Sequence, residues 1–96
     1  MEKVDATHNF EADGVSYRMD VYLISGKPLV FRHEFSREDA AEGWVKVASD
    51  DREYDDPEGK GGKDEGMIQL LRREGPLMAR EFLEYLQKQA KKKRKK

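Results

Sequence analysis

The sequence predicts a small α+β domain in which an antiparallel meander of three or four strands packs against one long C-terminal helix. Three observations predict this fold. Apolar and polar residues alternate along residues 4–35, as half-buried strands require. Asp13-Gly14, a dipeptide favoured in tight hairpin turns, divides this stretch. From Met67 onward the apolar period changes to about 3.6 residues, which is typical of an amphipathic helix.

The first hairpin is centred on Asp13-Gly14, which supplies a two-residue turn. Counting outward from this turn puts apolar residues on one face of the strand pair and polar residues on the other, so register and sidedness agree. The expected pairs on the apolar face are Ala12 with Val15, Phe10 with Tyr17, His8 with Met19, Ala6 with Val21 and Val4 with Leu23.

A second turn at Ser25-Gly26-Lys27-Pro28 leads to a third alternating strand. An odd-length loop would place Leu29 opposite Leu23 and Phe31 opposite Val21, and the apolar face would then be continuous. An even-length loop would place these apolar residues on the opposite face of the sheet. We therefore expect the odd loop.

Residues 36–49 are compatible with either a helix or a strand. Ser36 with Asp39 resembles a capping box, and apolar residues follow at helical spacing. However, Gly43 weakens a helix interior, and Trp44-Val45-Lys46-Val47 is equally typical of a strand. We expect one or two helical turns ending near Gly43, and then a short fourth strand.

Residues 49–66 hold eight acids and four glycines, so we expect a mobile acidic loop there. Lys60-Gly61-Gly62-Lys63 does not complete a phosphate-binding loop, because Asp64 follows where Ser or Thr is required. The alternating acids that begin at Asp51 lack the glycine and the glutamate of a calcium-binding loop. We therefore expect no cofactor and no metal.

The apolar stripe of the C-terminal region extends from Met67 to Leu86 and keeps its phase through Gly75-Pro76. This phase predicts one kinked helix, and the alternative is two helices with Pro76 in the first turn of the second. We expect residues 1–87 to form the domain and residues 88–96 to form a disordered basic tail.

Charge is strongly segregated along the chain, although the formal net charge is only −1. Residues 88–96 hold seven of the 19 basic residues and no acid, which leaves 12 basic against 20 acidic residues in 1–87. Such a tail can bind phosphate or an acidic partner, whereas the body is expected to repel nucleic acid unless its few arginines gather on one face. The candidate contacts in the tail are Lys91, Lys92, Lys93, Arg94, Lys95 and Lys96.

The registers above bring His8 and His33 next to Met19 on the apolar face. Two histidines can bind a metal or relay a proton beside a carboxylate, but alone they leave a catalytic zinc site one ligand short. We expect both to be structural. The absence of cysteine, of a signal peptide and of a long apolar run predicts an intracellular protein, cytoplasmic or nuclear, with no membrane partner.

The C-terminal helix resembles the closing helix in the N-terminal domain of the co-chaperones that activate the heat-shock-protein-ninety ATPase. In that family an antiparallel sheet is closed by a long C-terminal helix, and the resemblance implies a non-catalytic domain that binds a partner. The segments that carry the resemblance are Leu70-Leu71-Arg72-Arg73-Glu74-Gly75, Ala79-Arg80-Glu81 and Tyr85-Leu86.

We expect the protein to be a non-catalytic interaction or regulatory module that binds a protein partner. Arg72, Arg73 and Arg80 lie on the polar side of the helix and are the candidate contacts there. The second hypothesis is nucleic-acid binding through the basic tail. The third is a small enzyme with a histidine-based site.

Overall fold

A computed structural model of the chain describes residues 1–94. The strands form one antiparallel sheet in the order β1-β2-β3-β4, and a single helix packs on one face. The predicted α+β meander with a long C-terminal helix is therefore confirmed. The elements are β1 (Glu2–Ala12), β2 (Val15–Gly26), β3 (Leu29–Asp39), β4 (Gly43–Tyr54) and α1 (Glu65–Arg94).

The first hairpin forms at the predicted turn. Asp13 and Gly14 both have positive φ, 52° and 76°, as the tight two-residue turn of a hairpin requires. Next to the turn, the three predicted apolar pairs are confirmed, ending with His8 opposite Met19. Local turn chemistry thus determines the register of this end of the sheet.

Farther from the turn, β1 contains two more residues than β2 does. Val4 pairs with Val21, not with Leu23, because the register shifts between Val4 and His8. The predicted pairing of Ala6 with Val21 is wrong for the same reason. Since two extra residues preserve the alternation, Val4 and Ala6 are still buried on the inner face.

The turn between β2 and β3 has an even length, contrary to expectation. Gly26 pairs with Leu29, so the loop contains two residues. Ile24 has no partner in β3 and forms a bulge. Because of this extra residue, Leu23 pairs with Phe31, and both side chains lie on the apolar face. Both predicted pairs of this hairpin are wrong, but the apolar face is continuous because a bulge takes the place of the odd loop.

The helical turns expected after residue 36 are absent from the structure. β3 continues to Asp39, and residues 40–42 form a turn before β4 begins at Gly43. The Asp39 carboxylate accepts a hydrogen bond from the Ala41 amide at 3.1 Å, so it stabilises a turn instead of a helix cap. Gly43 has a φ of 81°, which favours glycine at this position.

The loop between β4 and the helix begins at residue 55, because residues 49–54 belong to β4. The carboxylate of Asp56 accepts hydrogen bonds from the amides of Lys60 and Gly61, at 3.0 and 2.9 Å. Gly62 then passes directly over the side chains of Leu29 and Phe31. The loop therefore returns the chain to the core before the helix starts.

The helix is continuous through Pro76, so the single-helix prediction is confirmed. The Asp64 carboxylate accepts a hydrogen bond from the Met67 amide at 3.2 Å and caps its first turn. Gly75 is buried against the imidazole of His8, where a Cβ atom would lie 3.2 Å from the Cβ of His8. A glycine here lets the helix backbone approach β1 closely.

The helix extends to Arg94, which differs from the disorder expected for residues 88–96. Lysine, arginine, glutamine and alanine are all good helix formers, and a preceding helix removes the cost of nucleation. Lys95 and Lys96 lie outside the described residues.

Aromatic packing shows how the helix lies on the sheet. The ring of Phe82 stacks on that of Phe35 with centroids 4.3 Å apart, and meets Phe10 and Tyr17 edge-on at 6.2 and 5.7 Å. These partners belong to β1, β2 and β3. The helix therefore covers the inner face of the first three strands. The inner face of β4 lies beside the helix and is not covered by it. The buried apolar core consists of Val4, Ala6, Met19, Val21, Leu29, Phe31, Phe35, Met67, Leu71, Met78 and Phe82.

Candidate functional site

The position of the helix leaves a cleft of about 360 Å³ between its side and the strands β3 and β4. Phe35 and Ala48 form its floor, since they pair across the two strands on the inner face. Met78, Phe82 and Tyr85 line it from the helix. Tyr85 is 51% exposed, so this apolar cleft opens to solvent. Its volume is within the ~300–1,000 Å³ typical of ligand clefts.

One end of the cleft is polar and is organised around Arg52. Arg52 Nε donates to Asp50 Oδ2 at 2.7 Å, and the two residues share the inner face because they lie two apart on β4. Arg52 Nη2 donates to Glu81 Oε2 of the helix at 2.6 Å. The hydrogen bond to Asp50 is the main cause of the raised pKa of Arg52, and that to Glu81 is the second. A permanent cation thus engages both carboxylates.

His33 lies next to this polar end, opposite Asp50 in the sheet. It is 1% exposed, and its Nε2 lies 3.0 Å from the hydroxyl oxygen of Tyr54. Burial, assisted by the charge of Arg52, lowers the pKa of His33 to about 4. Burial, assisted by the negative charge of Glu74, raises the pKa of Tyr54 to about 12. Both groups are therefore neutral at pH 7.

The Nδ1 atom of His33 is enclosed and has no hydrogen-bond partner among the described protein atoms. The direction of the bond between Nε2 and Tyr54 depends on the tautomer of the ring. If the hydroxyl of Tyr54 donates, Nδ1 carries the proton; if Nε2 donates, Nδ1 is an acceptor. In either tautomer, Nδ1 of His33 is left without a hydrogen-bond partner among the described protein atoms.

The structure does not bring the two histidines into one row of the sheet. His8 pairs with Met19 as predicted, but Met19 pairs with Phe35, and His33 pairs with Val21. The ring of His8 stacks beside that of Phe10 instead, with centroids 5.8 Å apart. Within residues 1–94 no three His, Cys, Asp or Glu side chains converge in a way that could hold a metal ion.

The arginines predicted to face a partner have different surroundings. Arg72 is engaged within the domain, because it donates to the main-chain oxygen of Asp5 at 2.8 Å and to its carboxylate at 2.6 Å. Arg73 and Arg80 are exposed on the helix. Lys91 is also exposed. The side chains of the other tail candidates, residues 92–96, lie outside those that the structure describes.

Comparison of the chain with protein-family models, with curated proteins and with solved structures gives no match. The resemblance to the co-chaperone helix therefore stays a prediction. None of the helical residues described here offers a stretch both long and apolar enough to cross a lipid bilayer.

Sequence reasoning missed the cleft because its residues come from three separated segments. The spacing of Asp50 and Arg52 indicates a shared face only if residues 49–54 are recognised as strand. Glu81 joins them only after the helix is placed over the first three strands. The sequence alone carries no clear signal of the cleft, because the exposure of Tyr85 becomes visible only in the structure.

Proposed function

We propose that this protein is a non-catalytic interaction module that binds a segment of a protein partner in the cleft between β4 and α1. The observation that carries the proposal is an open apolar cleft beside a fixed group of charges. The rings of Phe35, Phe82 and Tyr85 line the cleft. Apolar clefts with a few placed polar groups are where proteins accept the anchoring side chains of their partners.

The charges around the cleft favour a partner segment that is both apolar and basic. Asp50 and Glu81 outnumber Arg52 at the polar end. Residues 1–87 carry 12 basic against 20 acidic residues, so the wider surface attracts cations. We infer an apolar anchor, aromatic or branched aliphatic, flanked by lysine or arginine. Such a segment would fill the cleft and place its cations beside the acids.

The state of the polar groups supports binding in preference to catalysis. Asp50 and Glu81 are both engaged by Arg52, so neither is available as a strong general base. His33 is neutral at pH 7, and its Nε2 is already bonded to Tyr54. These groups orient one another and can accept a partner's hydrogen bonds.

Selection from a phage-displayed library of random peptides tests this proposal. The expected peptides contain an apolar anchor with flanking lysine or arginine. Tyr85→Ser should weaken their binding by about tenfold or more, because it removes an aromatic wall of the cleft. Ile24→Ser is the matched control, since Ile24 is an exposed apolar residue that does not line the cleft.

Two results would contradict the proposal. One is the selection of acidic peptides, or of no peptide at all. The other is equal binding by the Tyr85→Ser and Ile24→Ser variants, because the contact would then lie elsewhere on the surface.

Nucleic-acid binding is the second candidate, and one observation favours it. Leu86 is the last residue of the helix that packs against the core, yet the helix continues to Arg94. Lys88 and Lys91 are exposed beyond that point. A helical cationic end can bind phosphates, with an affinity that falls steeply as salt rises.

A mobility-shift titration with single- and double-stranded oligonucleotides tests the second candidate. Binding at low salt that is lost on deletion of residues 88–96 would support it. Absence of a shift at low salt, or a shift that survives the deletion, would exclude the basic end of the helix as the contact.

A further inference from the structure

The two edges of the sheet differ in how their backbones are protected. At the β1 edge, the Arg72 side chain donates to the main-chain oxygen of Asp5. The two extra residues between Val4 and His8 also interrupt the regular ladder there. The capped carbonyl is the feature that makes this edge less able to pair with another chain.

The β4 edge has no comparable cap among the described residues. β4 is 12 residues long and contains one irregularity of its own, since Val47 has no partner in β3. No described side chain donates to or accepts from its backbone. Exposed apolar side chains accompany it: Trp44 is 37% exposed and Val47 is 42% exposed. A long edge strand with unpaired backbone groups and apolar neighbours is a template for another strand.

Charge is distributed unequally along β4. The half that begins at Gly43 carries Lys46 and no acid, whereas the half that ends at Tyr54 carries three acids against Arg52. An antiparallel copy of the same strand would place the cationic half of one against the acidic half of the other. A parallel copy would place acids against acids, which is unfavourable.

The direction of the helix reinforces this complementarity. The helix starts near Leu29, which pairs with Tyr54, and Phe82 packs on Tyr17, which pairs with Arg37 near the Gly43 end of β4. Lys88 and Lys91 therefore lie toward the Gly43 end. In an antiparallel arrangement they would approach the acidic end of the second copy's β4.

We propose that two copies of this chain associate through β4, strand against antiparallel strand, to form one continuous sheet. The two-fold axis passes through β4 close to Ser49 and is perpendicular to the sheet. Because Val47 is an extra residue, Lys46 of one copy then faces Asp51 of the other, and Glu53 is the next acid on the same face. Both helices then lie on the same face, and the two clefts face each other across the joined strands. The proposal rests on the β4 edge and its charges, and it does not depend on what the cleft binds.

The solution mass of the intact chain, measured by light scattering and by sedimentation over a range of concentrations, tests the proposal. The expected result is twice the mass of one chain at high concentration. Lys46→Glu should raise the dissociation constant by about tenfold or more, because it places an acid opposite the acidic half of the second copy's β4. Adding Glu53→Lys to that variant should restore association, which a merely structural role of Lys46 would not explain.

Lys63→Glu is the matched control, because it makes the same charge change beside Glu2 of β1, at the opposite edge of the sheet. A single mass at all concentrations would overturn the proposal. So would association unaffected by Lys46→Glu, or association lost equally in the Lys63→Glu control.

Disulfide cross-linking can identify which edge of the sheet forms the contact. An introduced cysteine can pair only with its copy in the second chain, because the chain has no cysteine of its own. Ser49→Cys should form an intermolecular disulfide under oxidation, since the two copies of residue 49 lie close to the axis. Asn9→Cys, on β1, should remain a monomer under the same conditions. Cross-linking at position 9 in preference to position 49 would assign the contact to the other edge and contradict the proposal.

Discussion

Arg52 on β4 donates a hydrogen bond of 2.6 Å to Glu81 on α1, and this pair is the polar link between the last strand and the helix. The helix also makes a polar contact with β1, at the opposite edge of the sheet, where Arg72 binds Asp5. The cleft exists because the apolar packing of the helix is centred on β1 to β3. The charge pair thus shapes one end of the cleft and contributes little to the core.

Replacing Glu81 by Gln tests this assignment of roles. The two side chains are 40% and 57% exposed, so we expect a loss of less than about 1 kcal/mol in the free energy of unfolding. Phe82→Ala, one residue away, should cost about 3–5 kcal/mol because it removes a buried ring from the core. Urea denaturation measures both. A comparable loss in the two variants would show that the charge pair holds the fold.

The loop before the helix depends on a glycine at position 62. Gly62 has a φ of 79°, and a Cβ atom there would lie 2.6 Å from Leu29 Cδ1 and 2.8 Å from Phe31 Cζ. Gly62→Ala should therefore destabilise the protein by about 2–4 kcal/mol, through backbone strain and displacement of the core.

Gly59→Ala separates these two causes. Gly59 has a φ of 64° and nothing within 4 Å of an added Cβ atom, so its replacement should cost only about 1–2 kcal/mol of backbone strain. Thermal and urea denaturation compare the variants. Equal losses at the two positions would mean that the close packing of Gly62 on the core has no energetic weight.

His33 should make the protein less stable in mild acid. In the unfolded chain its imidazole binds a proton near pH 6.5, whereas the folded protein holds the pKa at about 4 because the ring is buried. Between these values the unfolded state binds more protons, so the free energy of unfolding decreases as the pH falls from 6.5 to 4. The expected contribution is about 2–3 kcal/mol.

His33→Gln isolates this contribution from the titration of the carboxylates. Glutamine retains polar atoms toward Tyr54 but does not titrate. The wild type should be the more stable protein at pH 7, and its advantage should shrink toward pH 4 while the carboxylates affect both proteins alike. A difference in unfolding free energy that is constant across this range would show that His33 does not control the pH dependence.

Short-range features of the fold could be predicted from the sequence. Asp13-Gly14 determined the first turn, and the strict alternation around it gave the correct pairs as far as His8. The apolar phase through Pro76 gave the single helix, because one face must continue to meet the sheet. In each case a local conformational preference agreed with the pattern of burial.

Features that depend on distant contacts were not predicted. The bulge at Ile24 and the extra residues in β1 keep the inner face apolar without leaving a signal in the alternation. Asp39 is compatible with the first turn of a helix and with a turn between strands, and the extension of β3 decides between them. The cleft follows from where the helix lies on the sheet, which the packing of Phe82 sets and no single segment encodes.

Mapping the contact by NMR tests the central claim, that the cleft is the binding surface, most directly. Amide shifts of the ¹⁵N-labelled protein would be followed as a selected apolar and basic peptide is added. We predict that the largest shifts are at Phe35, Ala48 and Tyr85, with little change at Thr7 on the opposite face of the sheet. Shifts that concentrate on residues 88–94, or on the face that carries Thr7, would contradict the account.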